Sequence, residues 1–281
     1  IYQKSGALIF YNLDSLLNTI SVIGNKSKSK KYSEIQPTSS VSQKFIDRIR
    51  DFAQGTSGID EYQGKTLLNE LGIPAVKGYL ANSKEKVLIA ASKLGYPVVL
   101  KVVSPDVLHK TDAGLVKINL KTPEQLSEAY EIIMDNFEVN AKGAELRGVL
   151  VEEMFDGDME LIVGIKNDPS FGPMIMVGAG GIFTEVFHDI TTRMCPINED
   201  EATQMMKELN YSKILQGYRG KNSANLQQIA SIISQLSILS YNIKDIFDEM
   251  EINPLLISSS MQMGKAADIV LTLKKLEVQT V

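Results

Sequence analysis

The sequence has little of several residue types that specialised proteins need. It contains no tryptophan, one cysteine and two histidines in 281 residues. The single cysteine, Cys195, excludes an internal disulfide framework, and no apolar run approaches the roughly 20 residues of a membrane span. The formal net charge of −5 gives no electrostatic reason to expect nucleic acid or an anionic membrane as a partner. No signal segment opens the chain, so a cytoplasmic location is expected.

The composition is that of a globular protein, with 44% apolar and 22% charged residues in a chain long enough for one or two compact domains. Residues 6–10 and 15–23 predict one strand and one short helix, which cannot bury themselves alone. We therefore expect 1–23 to be the C-terminal tail of a domain that lies upstream. Residues 24–44 are rich in Lys, Ser, Asn and Thr and predict a linker.

Beyond the linker, helix and strand patterns alternate. Helices are expected to end before Gly72 and Gly95, to begin after Thr122 and Asn198, and to span about 224–240. Strands are expected at 97–103, 115–120, 148–154, 160–166, 173–178, 249–257 and 267–273. The third, fourth and fifth of these strands come too close together for crossover helices and should be antiparallel. The pattern therefore predicts an α+β fold and not a doubly wound sheet.

Polar groups interrupt three segments that otherwise predict buried strands. Lys101 lies within the run PVVLKVV, Asn253 comes two residues after Glu251 in EINPL, and Asp268 precedes the run IVL. Placing a charge in such a strand is costly unless a counter-charge occupies the site. A magnesium nucleotide would supply one, because its phosphate oxygens suit an ammonium and its metal takes carboxylate and amide oxygens. No Walker sequence occurs, so the phosphates would have to be bound in another way.

Carboxylates also occur where adenine and ribose could be bound. The strand 148–154 ends in Glu152, Glu153 and Met154, and Glu160 opens the next strand after a short turn. A strand end can offer backbone groups to an adenine edge, and a second carboxylate nearby can accept the two ribose hydroxyls. These positions predict the adenosine end of a nucleotide cleft.

Seven segments, in order along the chain, resemble one protein family. They are 61–65 (EYQGK), 97–101 (PVVLK), 109–112 (HKTD), 151–154 (VEEM) with Glu160, 171–173 (FGP) with 178–181 (GAGG), 217–220 (GYRG), and 251–255 (EINPL) with Asp268. The family is that of the ATP-grasp proteins, and within it the β half of the NDP-forming acyl-CoA synthetases, which include ADP-forming acetyl-CoA synthetase and succinyl-CoA synthetase.

The resemblance implies an ATP-grasp fold, in which two α+β lobes enclose a nucleotide cleft, with ATP or ADP and Mg²⁺ as cofactors. The smaller lobe is expected over 45–147 and the larger lobe, with the nucleotide and Mg²⁺ site, over 148–281. It implies an ADP-forming acid–CoA ligase, which catalyses acid + CoA + ATP = acyl-CoA + ADP + phosphate. In such enzymes a CoA-binding α domain or subunit carries a phosphohistidine on a mobile loop, and the ATP-grasp part transfers that phosphoryl group to ADP. We therefore expect a CoA-binding partner, a homodimer or heterotetramer of the full enzyme, and residues 1–23 as the end of a CoA-ligase domain.

The resemblance also implies roles for individual residues. The implied residues are Lys65 and Lys101 for phosphate; Glu152, with the backbone of Glu153 and Met154, for adenine; Glu160 for ribose; Asn253, Asp268 and Glu251 for Mg²⁺; and His109, Lys101 and Asp112 for catalysis. The histidine of the family motif is proposed to relay or position the phosphoryl group.

The histidine also has a chemical argument of its own. A neutral imidazole is nucleophilic near pH 7 and can take a phosphoryl group that magnesium and lysine have made electrophilic. The competing interpretation is that His109 is hydrogen-bonded to Asp112 for structure alone. The chain departs from the family pattern at Leu115, where a second glycine is usual, and this should stiffen the loop.

Two other functions stay open on the sequence. An ATP-grasp ligase that joins a carboxylate to an amine would need Mg²⁺ but would tolerate loss of His109. A non-catalytic regulatory copy of the module, such as those attached to protein acetyltransferases, predicts damaged metal or phosphate residues. Lys101, Asn253 and Asp268 are all present, which favours the acyl-CoA synthetase.

Overall fold

The computed structural model describes residues 41–55, 58–107, 110–181, 188–220 and 222–274. The expected upstream tail 1–23, most of the expected linker 24–44, and His109 lie outside the described residues. Residues 39–281 form one compact unit. Helices and strands are numbered in chain order within the described residues.

The helices begin and end largely where cap residues predict. They are α1 Gln43–Gly55, α2 Glu61–Glu70, α3 Lys84–Leu94, α4 Pro123–Asn140, α5 Glu199–Glu208, α6 Ser212–Leu215 and α7 Leu226–Asn242. Thr122 and Asn198 cap α4 and α5 by accepting hydrogen bonds from the N–H groups of Gln125 and Glu201. The Glu201 side chain pairs with Arg193 and therefore does not complete a capping box with Asn198.

A smaller antiparallel sheet is formed by four strands: β2 Gly78–Ala81, β3 Val98–Val103, β4 Val116–Leu120 and β5 Gly148–Glu153. Their spatial order is β2-β5-β3-β4. Apolar side chains of α3 and α4, among them Val87 and Ile133, pack with Leu100 and Val151 of the sheet in one core. The central position of β3 therefore buries Lys101 among apolar strands.

The placement of β5 corrects two expectations from the sequence. β5 pairs with β2 and β3 and not with the next strand along the chain. The three closely spaced strands therefore do not all lie side by side, because the first of them belongs to the smaller sheet. The lobe boundary expected at residue 148 also differs from the sheet boundary, which lies between Glu153 and Met159. Spacing alone could not show that the turn after β5 carries the chain from one sheet to the other.

The larger sheet is antiparallel and contains seven strands among the described residues. They are β1 Gly58–Ile59, β6 Met159–Asp168, β7 Gly172–Ala179, β8 Ile190–Met194, β9 Phe247–Ser258, β10 Met263–Ala266 and β11 Ile269–Leu273. The order is β1-β11-β9-β6-β7-β8, and β10 pairs with β9. β8 and β10 were not expected, because β8 alternates exposed and half-buried residues and β10 is a short segment without β-branched residues.

Helices α5 and α7 cover one face of the larger sheet. Met205 and Met206 of α5 and Ile233 of α7 share a core with Ile175 and Val177 of β7. Cys195 lies at the edge of this core, where burial raises the pKa of its thiol to about 12. The thiol therefore stays protonated near neutral pH and is a packing residue, as expected. Within the described residues, every helix is too short or too polar to span a membrane.

Candidate active site

Lys101 lies on β3 and points toward the junction of the two sheets. Its Nζ atom donates to Glu61 Oε1 at 2.8 Å and to the carbonyl oxygen of Ala267 at 2.8 Å. It also forms an ion pair with Glu152 Oε2, which lies 3.0 Å away. Burial lowers the pKa of Lys101, but the carboxylates of Glu61 and Glu152 outweigh burial and raise it above its usual value. In this structure the expected counter-charge thus comes from the protein's own carboxylates.

Glu61 is the carboxylate at the centre of this arrangement. Its oxygens accept hydrogen bonds from Lys65 at 2.7 Å, from Lys101 at 2.8 Å and from Lys110. Burial by itself would raise the pKa of Glu61, but the three ammonium groups hold it well below its usual range. Glu61 is therefore ionised near neutral pH.

Lys65 completes the network from the next turn of α2. It contacts Glu61 four residues earlier on the helix and also Glu152 of β5. Lys65, Glu61 and Glu152 are each less than 5% exposed. The buried network therefore contains three ammonium groups and two carboxylates, and Asp268 stands at its edge, 3.9 Å from the Lys110 ammonium. Such a network is costly to break one partner at a time, because the remaining charges stay buried.

A cleft of about 570 Å³ lies beside the network. The predicted site residues Asp112, Glu251, Asn253 and Asp268 line it, together with Lys110. The structure thus brings the predicted metal ligands and three members of the histidine motif, Lys110, Thr111 and Asp112, to the same cleft.

Strand register explains why the metal candidates share one face. β9 pairs with β11 so that Ile252 lies opposite Ile269, which places Asn253 opposite Asp268 at the end of the ladder. Glu251 is two residues before Asn253 and therefore points to the same side of the sheet. Asn253 and Asp268 therefore lie next to the last recorded pair of this ladder, Asp268 directly before the start of β11.

The donor set suits a hard divalent cation. Carboxylate and amide oxygens are the ligands that Mg²⁺ takes, and it keeps several positions for water and phosphate. The Asn253 amide donates to Glu251 Oε1 at 3.0 Å, which leaves its Oδ1 atom for a cation. Burial and the charge of Glu61 raise the pKa of Asp268, although Lys101 and Lys110 act in the opposite direction. The Asp268 carboxylate therefore lacks part of the positive charge that it needs, and a metal ion would supply it.

The metal candidates alone do not form a closed cage. In the part of the chain that the structure describes, no group of three or more His, Cys, Asp and Glu side chains is placed to hold a metal. An ion bound between Asp268 and Asn253 would therefore depend on further oxygens from a nucleotide and from water.

The predicted adenosine residues are held by contacts within the protein. The Glu152 carboxylate is occupied by Lys65 and Lys101. The Glu153 carboxylate accepts from the Lys77 N–H at 2.9 Å and from Lys265 at 2.6 Å. The structure thus places the Glu152 side chain in the ionic network and not in a separate adenine pocket.

The backbone at this point is partly occupied as well. The Glu153 N–H donates to the Lys77 carbonyl at 2.9 Å, and the Met154 N–H donates to the Pro97 carbonyl at 3.3 Å. The Met154 side chain is 40% exposed. An adenine edge bound here would have to use the remaining carbonyl oxygens or replace the long Met154 hydrogen bond.

Glu160 lies on β6 against the glycine segment 178–181. A Cβ atom on Gly180 would lie 2.6 Å from the Cβ of Glu160, and the Gly180 N–H donates to the Glu160 carbonyl at 2.9 Å. The space that a side chain would need at Gly180 is therefore filled by Glu160. Close packing against Glu160 therefore explains the glycine at position 180.

Asp112 lies in the turn that leads into β4. The Leu115 N–H donates to the Lys110 carbonyl at 2.8 Å, and Gly114 adopts φ +70°, which glycine tolerates readily. Leu115, the departure from the family pattern, is fully buried in the core of the smaller lobe. Leu115 therefore fixes the turn to the core of the smaller lobe, and Asp112 is exposed in the cleft.

Arg193 and Asp189 are held by contacts away from the cleft. Arg193 pairs with Glu201 and Glu208, and the Asp189 carboxylate accepts from the N–H groups of Asn210 and Tyr211. Both residues hold β8 and its flanking loop to the segment 199–211 and do not line the cleft.

Sequence reasoning gave no role to Glu61 or Lys110, although both lie in segments that resemble the family. The i,i+4 spacing of Glu61 and Lys65 indicated an ion pair on a helix. Nothing local indicated that the pair would be buried against residues 40 and 49 positions further along the chain.

The fold and the cleft define a class of protein in which two α+β lobes enclose a site for a metal nucleotide. Residues 52–273 match the family described as ATP-grasp domain. The β subunit of acetate–CoA ligase (ADP-forming) II from Pyrococcus furiosus is 36% identical over 231 residues, which cover 82% of this chain and 97% of that subunit. The 4-hydroxybutyrate–CoA ligase (ADP-forming) of Nitrosopumilus maritimus is 36% identical over 244 residues, but the match covers only 34% of that enzyme and 87% of this chain.

A solved structure agrees with these sequence relatives. The dinucleotide-forming acetyl-coenzyme A synthetase 1 of Ca. Korarchaeum cryptofilum, in complex with coenzyme A, Ca-AMPCP and HgCl⁺, superposes with a TM-score of 0.77 at 33% identity, covering 83% of this chain and 100% of the matched chain. The chain therefore belongs to the ATP-grasp family, in the branch formed by the β parts of ADP-forming acyl-CoA synthetases. The predicted fold class and family are confirmed.

Proposed function

We propose that this chain is the nucleotide-binding part of an ADP-forming acyl-CoA synthetase, and that it transfers a phosphoryl group between a phosphohistidine and ADP. The observation that carries the proposal is the position of the Lys101 ammonium. It comes from the smaller sheet and lies 2.8 Å from the carbonyl of Ala267, the residue before Asp268 in the connection between β10 and β11. A cation for phosphate thus contacts the segment that carries a hard oxygen ligand for a metal.

At the phosphate end, the side chains bind and orient the nucleotide. Lys101 neutralises phosphate charge, with Lys65 behind it in the same buried network. Asp268, Asn253 and Glu251 hold Mg²⁺. The metal, when bound, offsets charge on the phosphoryl group and on the leaving oxygen. Fixed lysines lower the barrier further, since they need not reorganise as charge develops.

At the adenosine end, we propose that Glu160 accepts the ribose hydroxyls and that the backbone of Glu153 and Met154 meets adenine. Glu152 contributes by holding Lys65 and Lys101 within the buried network. His109 and Asp112 act on the transferred group: the imidazole relays or positions it, and the exposed Asp112 lies at the cleft mouth.

The remaining chemistry belongs to a partner. The relatives of matching length are β subunits, and we propose a CoA-binding α domain or subunit that carries the phosphohistidine loop, within a homodimer or heterotetramer. The overall reaction would then be acid + CoA + ATP = acyl-CoA + ADP + phosphate.

The chain by itself should bind ADP in the presence of Mg²⁺ and should form no acyl-CoA from acid, CoA and ATP. Calorimetric titration with ADP, with and without Mg²⁺, measures the first property, and a CoA-ester assay measures the second. Acyl-CoA made by the chain alone would contradict the division of labour. Absence of Mg²⁺-dependent ADP binding would contradict the proposed function itself.

Substitution His109→Ala should lower ATP formation by the complete synthetase by roughly 10²-fold or more, because a nucleophilic partner is lost. ADP binding by the variant should stay within about threefold, since the lysines that meet the phosphates are unchanged. His188→Ala is the matched control, because His188 is the second of the chain's two histidines and is absent from the cleft lining. Full turnover by His109→Ala would show that His109 takes no part in the phosphoryl transfer.

A further inference from the structure

Glu61 is the residue that the proposed reaction leaves without a role, although it has more charged contacts than its neighbours. Its side chain is 1% exposed and touches lysines from three separate elements. Lys65 belongs to α2, Lys101 to β3, and Lys110 to the turn before β4. A single carboxylate thus ties together the groups that approach the phosphate end of the cleft.

The carboxylate is itself held firmly. Glu61 is the first residue of α2, and Asp60 caps this helix by accepting from the Gln63 N–H while the Gln63 side chain accepts from the Asp60 N–H. Asp60 is fixed in turn by Arg147, whose guanidinium lies 2.9 Å from its Oδ2 atom. The position of Glu61 is therefore set by the helix start and not by the lysines that it binds.

The three lysines depend on Glu61 to different degrees. Lys65 also contacts Glu152, and Lys101 also contacts Glu152 and the Ala267 carbonyl. Among the described residues, Lys110 has two anionic partners, Glu61 in direct contact and Asp268 at 3.9 Å. Loss of the Glu61 charge therefore affects Lys110 most, and the nearest remaining anion for its ammonium is Asp268.

We propose that Glu61 is a positioning residue that holds Lys110 at the phosphate end of the cleft and keeps its ammonium off the Asp268 carboxylate. This inference rests on the proposed function, because it takes Asp268 as a metal ligand. An ammonium paired with Asp268 competes with Mg²⁺ for the same oxygens. Glu61 thus protects the metal ligand by giving the neighbouring cation a better partner.

Substitution Glu61→Gln keeps the shape of the side chain and removes its charge. The half-saturating Mg²⁺ concentration for binding of a fluorescent ADP analogue to the chain should rise by about tenfold, the lower range for loss of a group that supports a metal ligand. ADP affinity at saturating Mg²⁺ should change by less than about threefold, because Lys101 keeps Glu152 and the Ala267 carbonyl and stays in place. Glu70→Gln on the same helix, which removes an exposed pair with Arg48, is the control and should change neither quantity.

A double-mutant cycle with Lys110→Gln separates positioning from a general loss of structure. If Glu61 acts through Lys110, the effect of Glu61→Gln on the Mg²⁺ requirement should vanish when Lys110 is already glutamine. An equal rise in both backgrounds, or no rise in either, would overturn the inference. The charge-retaining Glu61→Asp should have a half-saturating Mg²⁺ concentration close to that of the wild type. If Glu61→Gln fails to fold, Glu61→Asp replaces it in the cycle. Its half-saturating Mg²⁺ concentration should then rise slightly, and Lys110→Gln should abolish that rise.

The same titration keeps the two proposals apart. Wild-type chain that binds the analogue only with Mg²⁺, together with an unchanged Glu61→Gln variant, refutes the role of Glu61 and leaves the proposed function standing. Wild-type chain that shows no Mg²⁺-dependent binding refutes the proposed function, and the role of Glu61 falls with it.

Discussion

Substitution Lys101→Ala should lower ATP formation by the complete synthetase by roughly 10²-fold or more, which is the scale for losing one preorganised charge at a phosphoryl-transfer site. The reason is positional as well as electrostatic. The Lys101 ammonium stands between two carboxylates of its own network and the Ala267 carbonyl in the connection between β10 and β11, so its charge is fixed before a nucleotide enters. The measurement is steady-state ATP formation from ADP, phosphate and acyl-CoA.

A loss of activity in Lys101→Ala could also arise from damage to the buried network. Removing one partner from such a network leaves carboxylates buried with less compensation, which costs about 3–5 kcal/mol in other proteins. Here Glu61 keeps Lys65 and Lys110, and Glu152 keeps Lys65, so the cost should lie at or below the lower end of that range. The thermal unfolding midpoint of the variant measures this cost independently of turnover.

Two further variants make the result of Lys101→Ala decisive. Lys166→Ala removes an exposed lysine from a strand of the larger sheet and should change neither activity nor stability noticeably. Lys101→Arg keeps the charge but cannot reproduce the three contacts of a compact ammonium, so it should recover stability better than turnover. Normal ATP formation by a folded Lys101→Ala protein would remove Lys101 from the phosphate site.

The sequence predicted the residues of the cleft because their pattern conflicts with its surroundings. Burying a lysine in a β-branched run costs free energy, and so does burying an amide or a carboxylate at a strand. Such residues are therefore expected where they bind a ligand or a counter-charge. The period of two along each strand then placed Glu251 and Asn253 on one face, and the structure shows that face lining the cleft. This inference needed only local patterns and the assumption that the two final strands are neighbours.

Other features of the site could not be predicted, because they depend on where distant segments meet. The sequence treated the Lys101 charge as unpaired and assigned its compensation to a nucleotide, whereas Glu61 and Glu152 provide compensation within the protein. It also assigned Glu152 to adenine, and the structure places that carboxylate against two lysines. Both differences arise from tertiary pairing of α2, β3 and β5, which no local periodicity encodes.

Substitution Asp268→Ala should raise the Mg²⁺ concentration needed for half-maximal ATP formation by about 10²-fold or more, since a charged metal ligand is lost and each factor of ten corresponds to about 1.4 kcal/mol. Asn253→Ala should have a smaller effect, because an amide oxygen carries no net charge. The measurement is ATP formation as a function of Mg²⁺ at fixed ADP. Asp245→Asn, which removes an exposed carboxylate paired with Arg50, is the control and should leave the Mg²⁺ dependence unchanged.

Asp268→Asn tests whether this carboxylate is retained for function at the expense of stability. The pKa of Asp268 is raised in the folded protein. The ionised carboxylate is therefore less stable in the folded than in the unfolded chain, and at neutral pH its charge lowers the free energy of unfolding. Neutral asparagine should therefore leave the thermal unfolding midpoint at neutral pH unchanged or higher in the absence of Mg²⁺, and its Oδ1 atom can still accept from the Ile269 N–H.

Addition of Mg²⁺ and ADP should stabilise the wild-type chain far more than the variant, because only the wild type has the charged ligand. The opposite result would be a variant with a lower unfolding midpoint without metal and the same rise in midpoint on addition of Mg²⁺ and ADP as the wild type. That result would show that Asp268 is a structural carboxylate and that the metal lies elsewhere.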